Sequence, residues 1–251
     1  MANAVYIDSG HSGTDPGAVG NGLQEATLNK RVAKGVVAAL RRSGVRTYTD
    51  LAIGNPGAST SIPDSRKHPD VRLFVSQHHN SAGAKTARGI ETYKTGTGRS
   101  RRFAALVHAR LRAELRRMDS TWVDRGVKEA KGTRAEYIVT RSQGASILLE
   151  NGFVSNVKDA AVFKRADYAR RCAETTARAI VDFGRKEGLW ANAYTPPAPP
   201  TVTAFQVFHA DGSSHGRFRD LTEAMRRARV FVEKEGGASV KRGKFPSSTV
   251  R

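Results

Sequence analysis

The feature that most constrains this chain of 251 residues is an alternation of short apolar runs and amphipathic stretches that starts almost at once. Val5-Tyr6-Ile7 is an apolar run of strand type, followed by a glycine-rich loop through Gly22. Leu28, Val32, Val36 and Leu40 then recur on one face of a helix, with Gly44 as its stop signal. Val45 to Thr49 resumes as strand. Strand, helix and strand at this spacing form a βαβ unit, which implies a parallel sheet with right-handed crossovers. Val71–Val75, Gly89–Tyr93, Tyr137–Val139 and Ile147–Leu149 read as further strands. One long helix carries Phe103, Leu106, Val107, Leu111, Leu115 and Met118 inward, and a last one runs through Tyr168, Cys172, Ala179, Ile180 and Phe183. The expected product is an α/β domain over residues 1–190.

The composition then changes. Thr195-Pro196-Pro197-Ala198-Pro199-Pro200 reads as a stiff linker over 191–201. Residues 202–251 form a small C-terminal α+β module: a strand at Phe205–Phe208, a turn at Asp211-Gly212, and an amphipathic helix carrying Leu221, Met225, Ala228 and Val232. Its last residues show no clear pattern. The module holds ten Lys or Arg against five Asp or Glu, so it is cationic by about +5.

The whole chain carries a formal charge of +19, which draws it toward polyanions: nucleic acid, anionic lipid headgroups or phosphate-bearing wall polymers. Nucleic acid is the weakest of these, because the arginines lie on helix faces without interleaved aromatics and no recognised module is present. A run of about 18 apolar residues is absent, so no transmembrane helix is expected. The start, Met1-Ala2-Asn3-Ala4, lacks the basic and apolar segments of a secretory signal. The single cysteine, Cys172, excludes an internal disulfide and reads as a buried structural thiol on a helix stripe.

Three segments carry chemistry, and each follows a strand, where α/β sheets place functional loops. They are Ile7-Asp8-Ser9-Gly10-His11-Ser12-Gly13-Thr14-Asp15-Pro16-Gly17-Ala18, with Glu25 following at the start of the first helix; Ser76-Gln77-His78-His79-Asn80; and Ile147-Leu148-Leu149-Glu150-Asn151-Gly152-Phe153. Two imidazoles and a carboxylate converging from separate strand ends suit an open zinc site with one position left for water. A further carboxylate must then move the proton of that water, and Glu150, leaving an apolar strand, suits the task. Taken singly, each residue has a plainer reading: a histidine in a glycine loop is usually a surface residue, and Glu25 is favoured by the helix dipole. His78 and His79 point to opposite faces if the strand continues, so one of the two would face a metal.

The ordered motifs resemble the zinc-dependent N-acetylmuramoyl-L-alanine amidases of the third amidase class, from Val5 to about Leu189. The family's Asp-x-Gly-His-Gly-Gly-x-Asp-x-Gly-Ala stands here as Asp8 to Ala18, with Ser12 in place of a glycine. Its glutamate ahead of the first helix is Glu25, and its Ser-x-His-x-Asn is Ser76 to Asn80, which selects His78 over His79. Arg125-Gly126-Val127-Lys128 and Leu148 to Asn156 match its later segments. The resemblance implies His11, Glu25 and His78 as Zn2+ ligands, Glu150 as general base and acid, and a mostly parallel six-strand sheet flanked by helices. The stretch from Asp50 to Asp70 departs from the family by lacking a clear second helix.

The resemblance further implies a peptidoglycan hydrolase that cuts the amide between N-acetylmuramic acid and L-alanine. The tail and the missing signal suggest a phage endolysin held in the host cytoplasm before release to the cell wall. Peptidoglycan is then the substrate, anionic cell-wall polymers are candidate partners, and the basic module is a candidate for wall targeting. A bacterial autolysin of the same chemistry, another zinc peptidase or deacylase, and a non-catalytic wall-binding protein are the alternatives.

Overall fold

Strands rich in Val, Ile and Leu on both faces can be stable only between two layers, and helices supply them here. The computed structural model describes residues 3–11, 14–52, 58–96, 98–190, 201–209, 214–218 and 238–246, which fall into two compact units, Met1–Tyr194 and Thr195–Arg251. In the first unit β1 (Ala4–Ser9) is buried at every position. A two-strand hairpin, β2 (Val19–Gly20) and β3 (Leu23–Gln24), leads into α1 (Glu25–Arg42). There follow β4 (Arg46–Thr49), α2 (Ala58–Arg66), β5 (Val71–Asn80), β6 (Ile90–Lys94), α3 (Arg99–Met118) and β7 (Asp124–Glu129). The unit closes with α4 (Ala135–Arg141), β8 (Ala145–Phe153), α5 (Val157–Phe163) and α6 (Tyr168–Lys186).

The six strands lie in the order β4-β1-β5-β8-β6-β7. All neighbouring pairs are parallel except β6 with β8, so the mostly parallel six-strand sheet expected from the sequence is present.

The sequence reading is corrected at three elements. Tyr137–Val139 is not a strand but part of α4. Its β-branched and aromatic residues mimic a strand, yet Ala135, Ile138 and Val139 are buried at helical spacing while Tyr137 is 49% exposed. The sixth strand is instead β7, whose sequence Asp-Arg-Gly-Val-Lys-Glu has one apolar residue because it forms a charged sheet edge. The stretch from Asp50 to Asp70 does contain a helix, α2. It was hidden because Ile62 is its one buried apolar side chain among the described residues and Pro63 lies inside it.

The two faces of the sheet bury different cores. Val5, Ile7, Leu73, Val75, Ile147 and Leu149 pack under α1, α3 and α6 with Leu28, Val32, Val107, Leu111 and Ile180. Each such side chain contributes about 1.5–3 kcal/mol when fully buried. The other face holds Tyr6, Phe74, Val71 and Leu148, covered by Ile62 of α2 and by Ala135, Ile138 and Val139 of α4. Cys172 is fully buried in the larger core, where burial pushes its thiol up to about 12.

In the second unit β9 (Thr201–His209) is the centre of an antiparallel sheet with β10 (Ser214–Phe218) and β11 (Ala238–Pro246). The patternless last residues thus include a strand, paired with β9 from Ala238 to Pro246. Val207 is buried. The expected helix over Leu221–Val232 lies outside the described residues, as does the linker expected over 191–201 except Thr201, which begins β9.

Candidate metal centre

Strand alternation decides which histidine of the adjacent pair meets the glutamate. β5 continues through Asn80, so the Ser76–Asn80 motif lies within the strand and not after it. Odd-numbered Leu73 and Val75 point into the large core, and His79 follows them; His78 projects from the opposite face with Phe74. His78 Nδ1 lies 2.9 Å from Glu25 Oε1. His11, in the loop after β1, places its Nε2 at 3.3 Å from Glu25 Oε2. One ligand atom from each of His11, Glu25 and His78 fits within 4.8 Å of the other two. The structure therefore brings together the three residues that the sequence motifs singled out.

Local backbone geometry makes this convergence possible. His11 has φ of 56°, a left-handed conformation uncommon for a side-chain-bearing residue and typical of strained functional loops. A Cβ on Gly10 would come within 2.1 Å of the His78 ring, so only glycine lets the two segments approach this closely. Gly17 has φ of +63°, and a Cβ there would press on both His11 and Glu25 Oε2. The rings of His11 and His78 stand edge to face, 5.0 Å apart.

Outer partners orient the three groups. Asp15 Oδ2 accepts from His11 Nδ1 at 2.7 Å, which leaves Nε2 directed at Glu25. The Glu25 carboxylate accepts from the backbone N–H groups of Ala18 and His79, at 3.0 and 3.1 Å. Asn29, one turn along α1, donates to the Gly10 carbonyl at 2.7 Å and accepts from His79 Nδ1 at 2.7 Å. His79 Nε2 in turn meets Tyr168 Oη at 2.6 Å, so His79 ties the loop, α1 and α6 together from behind. Asp15, Asn29 and Tyr168 were given no role in the sequence reading. Asp15 and Asn29 each stand four residues after a candidate ligand, which is a signal that could have found them.

The electrostatics favour a cation at the cluster. Burial opposes the charge of Glu25, but hydrogen bonds from His11 and His78 prevail and hold its carboxyl far below the usual carboxylate range. The hydrogen bond to Glu25 likewise lifts His11 to about 9 against the effect of burial. Two imidazoles and one carboxylate are a donor set suited to zinc, with which protons compete.

Glu150 enters from the neighbouring strand. β8 runs through Phe153, so Glu150 lies within it, directly opposite His78 in the β5–β8 register. The register then shifts between His78 and Asn80, placing a bulge beside the site. Burial, followed by the negative charges of Glu25 and Glu91, raises the Glu150 carboxyl well above its ordinary value. Its Oε2 and His78 Nε2 are buried and lack hydrogen-bond partners among the described residues. Glu91, opposite Glu150 on β6, is held by Asn80 at 2.6 Å, Tyr93 at 2.9 Å, Arg125 at 2.6 Å and Lys128 at 2.5 Å. The Arg125–Lys128 motif thus pairs with a buried carboxylate beside Glu150.

A cleft lined by His11, Glu25, His78 and Glu150 opens from this point. The family model described as N-acetylmuramoyl-L-alanine amidase matches residues 5–182. The N-acetylmuramoyl-L-alanine amidase LytC of Bacillus subtilis is 30% identical over 74% of this chain, which spans only 36% of that relative. An endolysin of Bacillus phage SPP1 is 26% identical over 72% of this chain and 66% of its own length. Among solved structures, the N-acetylmuramoyl-L-alanine amidase AmiC2 of Nostoc punctiforme superposes with a TM-score of 0.64 at 26% identity, covering 73% of this chain and 97% of that one. The chain belongs to the family of N-acetylmuramoyl-L-alanine amidases, which cut peptidoglycan between N-acetylmuramic acid and the L-alanine of the stem peptide.

Proposed function

We propose that this chain is a zinc-dependent peptidoglycan amidase in which His11, Glu25 and His78 hold the metal and Glu150 moves the protons. The observation that carries the reading is the convergence of those three donors within 4.8 Å, with Glu150 opposite His78 across the β5–β8 pair. A zinc ion there would polarise the scissile carbonyl and make a water molecule acidic near neutral pH. Glu150 would take a proton from the attacking water and return it to the departing nitrogen of L-alanine. Its desolvated position suits this exchange, because burial raises the carboxyl well above its ordinary value and so makes it a stronger base. Asp15 keeps the His11 ring in one tautomer, and Glu91, fully hydrogen-bonded, keeps a negative charge near Glu150.

Similarity to both a bacterial amidase and a phage endolysin leaves two settings for the same chemistry. The endolysin setting, with the enzyme held in the host cytoplasm until release, is the one we favour from the cationic C-terminal module following the catalytic unit. That module would tether the enzyme to anionic wall polymers and raise its effective concentration at the wall. Among the described residues no helix is long and apolar enough to cross a membrane.

Three experiments test these assignments. Purified sacculi incubated with the protein should release new L-alanine amino termini, and a chelator should abolish the release until zinc is restored. Glu150→Gln should retain zinc and lose about 10²- to 10⁴-fold in turnover; a variant that turns over normally would exclude the proton-transfer role. Truncation after Tyr194 should leave hydrolysis of a small muropeptide nearly unchanged and weaken binding to whole walls. Equal wall binding by the truncated and full chains at matched salt would remove the targeting role.

A further inference from the structure

The cleft has a volume of about 710 Å³, and the wall facing away from α1 is built by Thr133, Arg134, Ala135 and Ile138 together with Tyr93 and Leu148. Among the described residues that line it, Arg134 is the one side chain with a permanent positive charge, whereas Asp15, Glu25 and Glu150 bring carboxylates. Its guanidinium has no ion-pair or hydrogen-bond partner among the described residues. That sets it apart from the cations nearby. Arg125 and Lys128 are committed to Glu91, and Lys94 is committed to Glu129.

The backbone beneath Arg134 is fixed. The Ala130 N–H donates to the Lys94 carbonyl at 2.9 Å, and the Thr133 N–H and hydroxyl both donate to the Ala130 carbonyl, at 2.9 and 2.6 Å. Ala130 and Ala135, on either side, are buried in the smaller core. Arg134 thus projects a charged side chain with five donors from a rigid turn into the cleft, with no partner among the described residues.

We propose that Arg134 is a specificity-determining residue that grips a carboxylate of the stem peptide while the scissile amide lies at His11, Glu25 and His78. The inference rests on the amidase reading above. A guanidinium matches a carboxylate in bidentate fashion, and Arg134 is the one permanent cation among the described residues lining the cleft. An amidated peptide has the same shape but no charge, so the enzyme should discriminate between the two forms. Ile138 and Leu148 give the same wall an apolar surface for the uncharged part of the peptide.

The test compares kcat/KM for two soluble muramoyl peptides that differ only in a free or amidated carboxyl on the residue after L-alanine. The unmodified protein should prefer the free acid by on the order of 10- to 100-fold. Arg134→Ala should bring the ratio close to one, chiefly through a higher KM for the acid. Arg134→Lys should retain part of the preference, since it keeps the charge and loses the fork. Lys131→Ala, which removes an exposed neighbouring charge outside the cleft lining, should keep the full preference. An absent preference in the unmodified protein, or an unchanged ratio in Arg134→Ala, would overturn the assignment while leaving the amidase reading intact. A loss in Lys131→Ala as large as in Arg134→Ala would overturn it too, in favour of a diffuse field. Hydrolysis of neither peptide by the unmodified protein would overturn the amidase reading, and this inference with it.

Discussion

The two faces of the sheet are made by alternate residues of the same strands, yet one is closed and the other is left partly open. Three long helices, α1, α3 and α6, cover the first with a continuous apolar core. The second is covered by two short helices, α2 and α4, and the area they leave exposes a row of polar groups at the ends of β5, β8 and β6. His79 and His78 show the difference most sharply. The ring of His79 packs against Phe163 and Tyr168 with both nitrogens hydrogen-bonded, and burial lowers it to about 3, so it is a neutral structural group. His78, one residue earlier, faces Glu25 in the cleft and has a nitrogen without a partner among the described residues. Chemistry is thus confined to the face where packing stops short, and rigidity comes from the face where it is complete.

Exchanging each histidine for alanine should separate the two roles most widely. His78→Ala should lose most bound zinc, measured by metal analysis, and with it nearly all activity, while melting close to the parent protein. His79→Ala should lose on the order of 2–5 kcal/mol of stability, because Asn29 and Tyr168 are left unpaired in the core. The folded fraction should keep its zinc, since the backbone N–H of residue 79 still reaches Glu25. Greater zinc loss in His79→Ala than in His78→Ala would break the comparison.

A smaller contrast is expected from the leucines that precede Glu150. Leu149→Ala opens a cavity in the closed core and should cost about 4 kcal/mol in denaturant unfolding, whereas Leu148→Ala, on the cleft wall, should cost about 2 kcal/mol. Equal losses would mean that the cleft face is packed as tightly as the other. The smallest effect is a rate. With its thiol pushed up to about 12 by burial, Cys172 is almost wholly protonated at pH 8. Alkylation followed by mass spectrometry should be slow in the folded protein and fast once denaturant exposes the helix. Rapid modification without denaturant would show that the α6 face opens in the native state.

Much of this arrangement was legible in the linear chain, for identifiable reasons. Strand and helix periods are local, so the apolar runs at Val5–Ile7, Val71–Val75 and Ile147–Leu149 and the stripes of α1, α3 and α6 could be read directly. His11, Glu25 and His78, together with Glu150, stood out because each occupies a position of the ordered motifs that resemble the amidase family. Elements without a dominant apolar stripe escaped. β7 is a charged edge, α2 contains a proline, and α4 carries a Tyr-Ile-Val run that mimics a strand.

By itself, then, the sequence determined the α/β class, the chain order of its main elements, the residue types of the centre and the change of composition near residue 190. The tertiary structure alone decided that Glu150 stands opposite His78, that Glu91 binds Arg125 and Lys128 behind it, and that His79 anchors the core through Asn29 and Tyr168. It also decided that Arg134 faces the cleft, with no partner among the described residues. Periodicity fixes which way a side chain points relative to its own backbone. Its partners come from sheet order, register and bulges, which depend on contacts between residues far apart in the chain.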